Sequence, residues 1–275
     1  MSVIEAVILG IIQGLSEFIP ISSTAHLTIA GKYLGLVDPA HPERWTSFIA
    51  TIQLGTLAAV FLYFKKEVYE VPRDFMKENI GNRKKFKEQS DNSRLGWLII
   101  IGSLPVVFFG LALKDFIEGS FTKDLNVIAT SLIALGVILG IADKTANFRK
   151  KLRNITWIDS LIVGFAQVLA LIPGSSRSGT TITAGLFVGM DRETAARFSF
   201  LLSIPAIFGS GLLSFYQAVE YLTPDQFLTL AVATVVSGIS GYAAIAFLIK
   251  FLKTRSMFLF VFYRIILGIL IFIAW

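Results

Sequence analysis

Cysteine is absent from the 275 residues, so neither disulfides nor thiolate metal sites can form. Charge is scarce as well: 16% of residues are Asp, Glu, Lys or Arg, against 54% hydrophobic, and the mean hydropathy is +0.69. That balance excludes a soluble domain. Basic residues interleaved with aromatics on a folded surface, as nucleic-acid binding needs, are missing too. What remains is apolar sequence in long runs. Leu98–Leu113 and Met257–Trp275, the latter interrupted only by Arg264, approach the roughly 20 residues that span a hydrocarbon core. The N-terminal apolar stretch lacks a basic lead-in, carries Glu5 and has no clean small-residue cleavage site, so it is expected to belong to the mature fold.

The fold class implied is all-α: a polytopic membrane protein in one domain, 1–275. Six full spans are expected at Ser47–Phe64, Leu95–Leu113, Leu125–Ala142, Ala196–Tyr216, Phe227–Lys250 and Met257–Trp275. Val3–Leu36 and Trp157–Met190 differ. Each has an apolar helix-like half, a Pro/Gly/Ser/Thr break and a second half, the pattern of a re-entrant hairpin. By the positive-inside rule the basic segments Lys65–Arg94, Asp143–Arg153, Arg192–Arg197 and Lys250–Arg255 are expected in the cytoplasm. Lys114–Asp124 and Gln217–Asp225, acidic on balance, are expected outside with both termini. One hairpin and three crossings per half invert the second half relative to the first. The chain thus reads as inverted repeats, about 1–142 and 157–275, with a solvated cytoplasmic loop at 65–94.

The two breaks carry the chemistry. Gln13-Gly-Leu-Ser-Glu17-Phe-Ile-Pro20-Ile-Ser22-Ser23-Thr24-Ala-His26 and Gln167-Val-Leu-Ala-Leu-Ile-Pro173-Gly174-Ser175-Ser176-Arg177-Ser178-Gly179-Thr180-Thr181 share Pro-x-Ser-Ser, six or seven residues after a Gln. Ionisable groups at membrane depth mark functional paths. A half-helix starting near Ser22, Ser23 and Thr24 offers free N–H groups and a positive dipole end. Gly174 allows close backbone approach, Ser175, Ser176, Ser178 and Thr181 supply hydroxyls, and Arg177 adds a planar fork of donors. Together they imply a phosphate or diphosphate held between two hairpins. Glu17, four residues after Gln13 on one helical face, would repel that anion unless a divalent cation, Mg or Ca, bridges them. His26 suits proton transfer, and Ser23 is either a nucleophile or an orienter of water. Most single Ser or Thr residues in such helices only pack. Arg264 is expected to pair inside the bundle or snorkel and His41 to lie at a surface; Gln53 and Gln167 could cap or line the pocket, with packing ranked above catalysis for both.

Gln13-x-x-x-Glu17 running into Pro20-Ile-Ser-Ser-Thr-Ala-His26, with Pro173-Gly-Ser-Ser-Arg-Ser-Gly-Thr-Thr181, resembles the two motifs of the bacterial undecaprenyl-diphosphate phosphatases, the bacitracin-resistance family. Motif order, length and hydropathy agree over the whole chain. The resemblance implies hydrolysis of an isoprenyl diphosphate lipid in the bacterial plasma membrane, at a pocket opening to the outer side. It implies that Glu17 and Gln13 support the metal and that Arg177 clamps the diphosphate with Ser176 and Thr181 alongside. Ser23, Thr24 and His26 would then face the phosphorus. Two departures are visible: Gln13 stands at the first acidic position, and Ala25 where Gly is usual. A transporter or flippase of isoprenyl phosphate lipid fits the same architecture. A homodimer is compatible with the sequence. With two histidines, and only His26 in a motif, the histidine-nucleophile lipid phosphatases cannot be built.

Overall fold

A computed structural model describes residues 1–219 and 224–275, apart from the side chains of Glu118, Ser120 and Asp225. Within the expected outer segments, 220–223 and those side chains therefore lie outside the described residues. The described chain is helical: α1 Val3–Phe18, α2 Ser23–Tyr33, α3 Pro42–Tyr63, α4 Lys65–Met76, α5 Asp91–Ala112, α6 Lys114–Glu118, α7 Leu125–Thr145, α8 Trp157–Val168, α9 Arg177–Phe187, α10 Arg192–Val219, α11 Pro224–Leu252 and α12 Phe258–Ala274. Five of them (α3, α5, α7, α10 and α11) are long and apolar enough to cross a membrane, as a polytopic membrane protein requires. The sixth expected span, α12, has 17 residues, about 25 Å at 1.5 Å per residue, and falls short of that criterion.

Both expected breaks are present, and their local structure explains them. α1 and α8 each open with a capping box, Ser2 with Glu5 and Thr156 with Asp159. After each break the next helix is capped by a serine at positive φ: Ser22 (φ 74°) accepts from Ala25 N, and Ser176 (φ 67°) accepts from Gly179 N. Each second half-helix has 11 residues and ends at a positive-φ glycine, Gly35 or Gly189. One interval, 154 residues, relates Ser2 to Thr156, Glu5 to Asp159, Gln13 to Gln167, Ser22 to Ser176 and Gly35 to Gly189. The equivalence corrects the register suggested by Pro-x-Ser-Ser. Pro20 and Pro173 are one position out of step, and the structural counterpart of Ser23 is Arg177.

Helix packing pairs the two halves reciprocally: α1 lies on α11 and α8 on α5, while α3 packs on α10 and α7 on α12. Small residues permit the approach. A Cβ on Gly164 would lie 2.3 Å from the Gly102 carbonyl oxygen, and one on Gly14 would lie 2.0 Å from Ser240 Oγ.

Ion pairs gather the four basic segments at one end of the bundle. Arg197 pairs with Glu67, Lys253 with Glu193 (3.9 Å), Arg192 with Asp143 (2.5 Å) and Lys150 with Asp159 (2.8 Å). The 65–94 segment is α4, then a connection over 77–90 that holds a π-helical turn (Lys77–Gly81) and a 3-10 turn (Phe86–Glu88), then the start of α5. Glu78 accepts from Ser90 N (2.8 Å), and Trp97 of α5 donates to Asn79 (3.0 Å).

Candidate active site between the hairpin turns

Glu17 occupies the last turn of α1, 5% exposed, where three donors converge on its carboxylate. Gln13 Nε2 donates to Oε2 at 2.9 Å from one turn earlier on α1. Ser23 Oγ, at the first position of α2, donates to the same oxygen at 2.6 Å. Arg177 Nη2, at the first position of α9, donates to Oε1 at 2.5 Å. The positions equivalent by the 154-residue interval therefore address opposite oxygens of one carboxylate, across 160 residues of chain for Arg177. Ser178 Oγ adds a second link between the hairpins, donating to Ile19 O at 3.3 Å.

These groups face a cavity of about 470 Å³. Glu17, Ser22, Ser23 and Thr24 line it from the first hairpin; Gln167, Gly174, Ser176 and Arg177 line it from the second. Apolar side chains of α5 and α10 make its walls, and it reaches Lys114, Lys123 and Gln217. Ser23 and Thr24, the first residues of α2, and Arg177, the first of α9, line its polar end, and the start of a helix, with its positive dipole end, suits an anion.

Other expected site residues lie elsewhere. Thr181 Oγ1 turns back to Arg177 O (2.7 Å) and meets Ser199 Oγ (2.6 Å), bracing α9 against α10. Ser175 is fully buried, and its hydroxyl has no partner. Gln13 sits behind Glu17. His26 is on the far face of α2: Nδ1 is 2.7 Å from the Ser22 carbonyl and Nε2 is 2.6 Å from Tyr263 OH, with the rings stacked at 11°. A carbonyl oxygen only accepts, so Nδ1 carries a hydrogen, and in the neutral ring Tyr263 donates to Nε2. His41 is at the surface, beside Glu43. Arg264 pairs inside the bundle, with main-chain carbonyls.

Sequence reasoning underrated Gln167. It is fully buried, it lines the cavity, and neither amide atom has a partner in the protein. Arg177 Nη1, on the cavity wall, is likewise unpaired, as is Gln13 Oε1 behind Glu17. Buried polar groups are nearly always satisfied, so donors and acceptors left open beside a cavity mark a place for a polar ligand. The one available signal was the 154-residue interval that matches Gln167 to Gln13.

The same atoms test the fit of a divalent cation. Glu17 uses three of about four lone-pair sites, and Gln13 Oε1 is open. Both are hard oxygen donors, the type Mg and Ca prefer. Among the described residues no cluster of three His, Cys, Asp or Glu exists, so a cation here would complete its shell with amide, hydroxyl, carbonyl, water or ligand oxygens. On those terms the residues fit.

Comparison with known proteins accords with this geometry. The chain is 58% identical over 268 residues to a protein of Syntrophobacter fumaroxidans, covering 98% of this chain and 95% of that one. It is 48% identical to one of Chloroherpeton thalassium (98% and 95% covered) and 46% to one of Myxococcus xanthus (98% and 88%). All three are named undecaprenyl-diphosphatase. Residues 6–270 match the family described as bacitracin resistance protein BacA. With both motifs meeting at one carboxylate and the match running nearly end to end, the chain belongs to the BacA family.

Proposed function

We propose that this protein hydrolyses undecaprenyl diphosphate to undecaprenyl phosphate and inorganic phosphate, recycling the lipid carrier for cell-wall synthesis. One observation carries the reading: Ser23 and Arg177, from different hairpins, hold the same buried Glu17 carboxylate. Arg177 keeps Glu17 with Nη2 and leaves Nη1 for a phosphate oxygen. Free N–H groups at the starts of α2 and α9 receive the remaining anionic oxygens. Ser23 Oγ attacks the terminal phosphorus as Glu17 takes its proton, and the lipid monophosphate leaves. Water then releases phosphate from the serine. Glu17, with Gln13, would hold a divalent cation, which when bound neutralises charge on the phosphoryl oxygens. Charge neutralisation and positioning provide most of the rate.

The topology that accompanies this reading is six crossings and two re-entrant hairpins in inverted repeats, placed in the bacterial plasma membrane. The reciprocal packing of α1 on α11 and α8 on α5, and the 154-residue interval, support it. The basic end of the bundle would be cytoplasmic. The cavity reaches Lys114, Lys123 and Gln217, from the segments expected outside, which supports an outward-facing site.

Phosphate release from undecaprenyl diphosphate by pure protein in detergent is the direct test. Glu17→Gln and Arg177→Ala should each lose about 100-fold or more in kcat, the scale of one lost electrostatic partner, at wild-type folded yield. Near-normal turnover in either variant removes that residue from the mechanism, and full activity in Ser23→Ala makes water the attacking group. No phosphate release, together with isoprenyl lipid moving between vesicle leaflets, would replace hydrolysis by transport.

A further inference from the structure

Arg264 interrupts the apolar run of α12 and is fully buried, with no carboxylate partner among the described residues. A lone buried cation is costly unless its donors are satisfied. Its acceptors are all main-chain carbonyls. Nε donates to Leu132 O (3.2 Å) and Nη2 to Ser131 O (3.4 Å), both on α7. Nη1 donates to Pro20 O (3.3 Å) in the first hairpin turn, and Nη2 to Gly174 O (3.3 Å) and Ser175 O (3.0 Å) in the second. Helix breaks leave carbonyls without intrahelical partners, and inside a membrane protein those carbonyls need donors from elsewhere. One guanidinium serves both breaks. Pro20 is two residues before the Ser22 cap, and Ser175 immediately precedes the Ser176 cap. Space is kept for the fork: a Cβ on Gly179 would lie 2.6 Å from Arg264 Nη1, and one on Gly136 would lie 3.2 Å from Arg264 Cβ.

We propose that Arg264 is a positioning residue that sets the spacing between the two hairpin turns, and thereby the placement of Ser23 and Glu17 against Arg177. It rests on the phosphatase reading above. A planar fork reaches both turns at once, whereas an ammonium is a point donor and cannot. Charge alone therefore does not fulfil the role.

Steady-state phosphate release from undecaprenyl diphosphate, per folded molecule, tests this in Arg264→Lys, Arg264→Gln and Gly136→Ala. Lys and Gln should both lower kcat by about 100-fold, the penalty for misplacing reacting groups by about 1 Å, with a smaller change in KM. Gly136→Ala keeps the guanidinium but crowds its stem, and should lower kcat about tenfold with near-normal thermal unfolding. Wild-type kcat in Arg264→Lys would overturn the proposal, since charge would then suffice. A loss confined to folded yield, with kcat per folded molecule unchanged, would overturn it too. If neither Arg264 variant folds, Gly136→Ala decides: wild-type kcat there ends the idea.

Failure of wild type to release phosphate would end the phosphatase reading, not the clamp. The clamp would then be judged by spin-label distances between Ile21→Cys and Ile172→Cys, free of background in a chain without cysteine. Arg264→Gln should broaden or lengthen that distance, and an unchanged distribution would overturn the clamp.

Discussion

At the scale of single residues, the site is unusual for what it leaves open. Gln167 has a buried primary amide with no partner, and such a group costs about 1–3 kcal/mol when left unsatisfied. Packing alone gives no reason to keep it. Gln167→Met, similar in volume and apolar, should leave thermal stability unchanged or raise it by up to about 1–3 kcal/mol while KM for the diphosphate lipid rises. Lower stability with an unchanged KM would make Gln167 a packing residue after all. His26 shows the opposite case, a reactive-looking group whose two nitrogens are already engaged. Its hydrogen bond to the Ser22 carbonyl and its stacking on Tyr263 fix the cap that aims α2 at the cavity.

At the scale of elements, the turn linking α4 to α5 is held by an acid whose titration can be followed. The Ser90 backbone N–H, and then Lys84, hold the Glu78 carboxyl below its ordinary 4.5. A depressed folded-state pKa means that Glu78 contributes stability above the unfolded value, and that the contribution is lost as pH falls through the folded value. Amide protection over residues 77–90, relative to intrinsic exchange at each pH, should therefore be high at neutral pH and fall below about pH 4.5. In Glu78→Gln protection should be lower at neutral pH and show no such acid step. Helix contacts offer a second measurement: Gly164→Val drives side-chain atoms into the Gly102 backbone, and should destabilise α8 on α5 by about 1–3 kcal/mol in thermal unfolding.

At the scale of the whole molecule, opposite ends should differ in accessibility. Gln217→Cys, at the end the cavity reaches, should react with a membrane-impermeant thiol reagent in intact cells. Arg255→Cys, near the ion-paired end, should react only after permeabilisation. The reverse pattern would invert the proposed topology. Strong chelation should abolish phosphate release and restored Mg or Ca should recover it. Activity that persists without divalent ions would remove the metal assigned to Glu17 and Gln13.

Hydropathy and charge determined the helical membrane class, most span positions and both helix breaks, because burying backbone in lipid leaves so few solutions. The motifs alone named Glu17, Ser23 and Arg177. Tertiary structure decided the rest. Pro-x-Ser-Ser suggested a register one residue off, because a proline fixes its own φ but not which following serine becomes the cap. Whether a hydroxyl or imidazole faces the cavity depends on the rotation of its half-helix. Packing against α10 and α12 set that rotation, turning Thr181 and His26 away. Arg264 read as one cation in an apolar run. Only the meeting of two distant turns beside α12 gave its donors five carbonyls to hold.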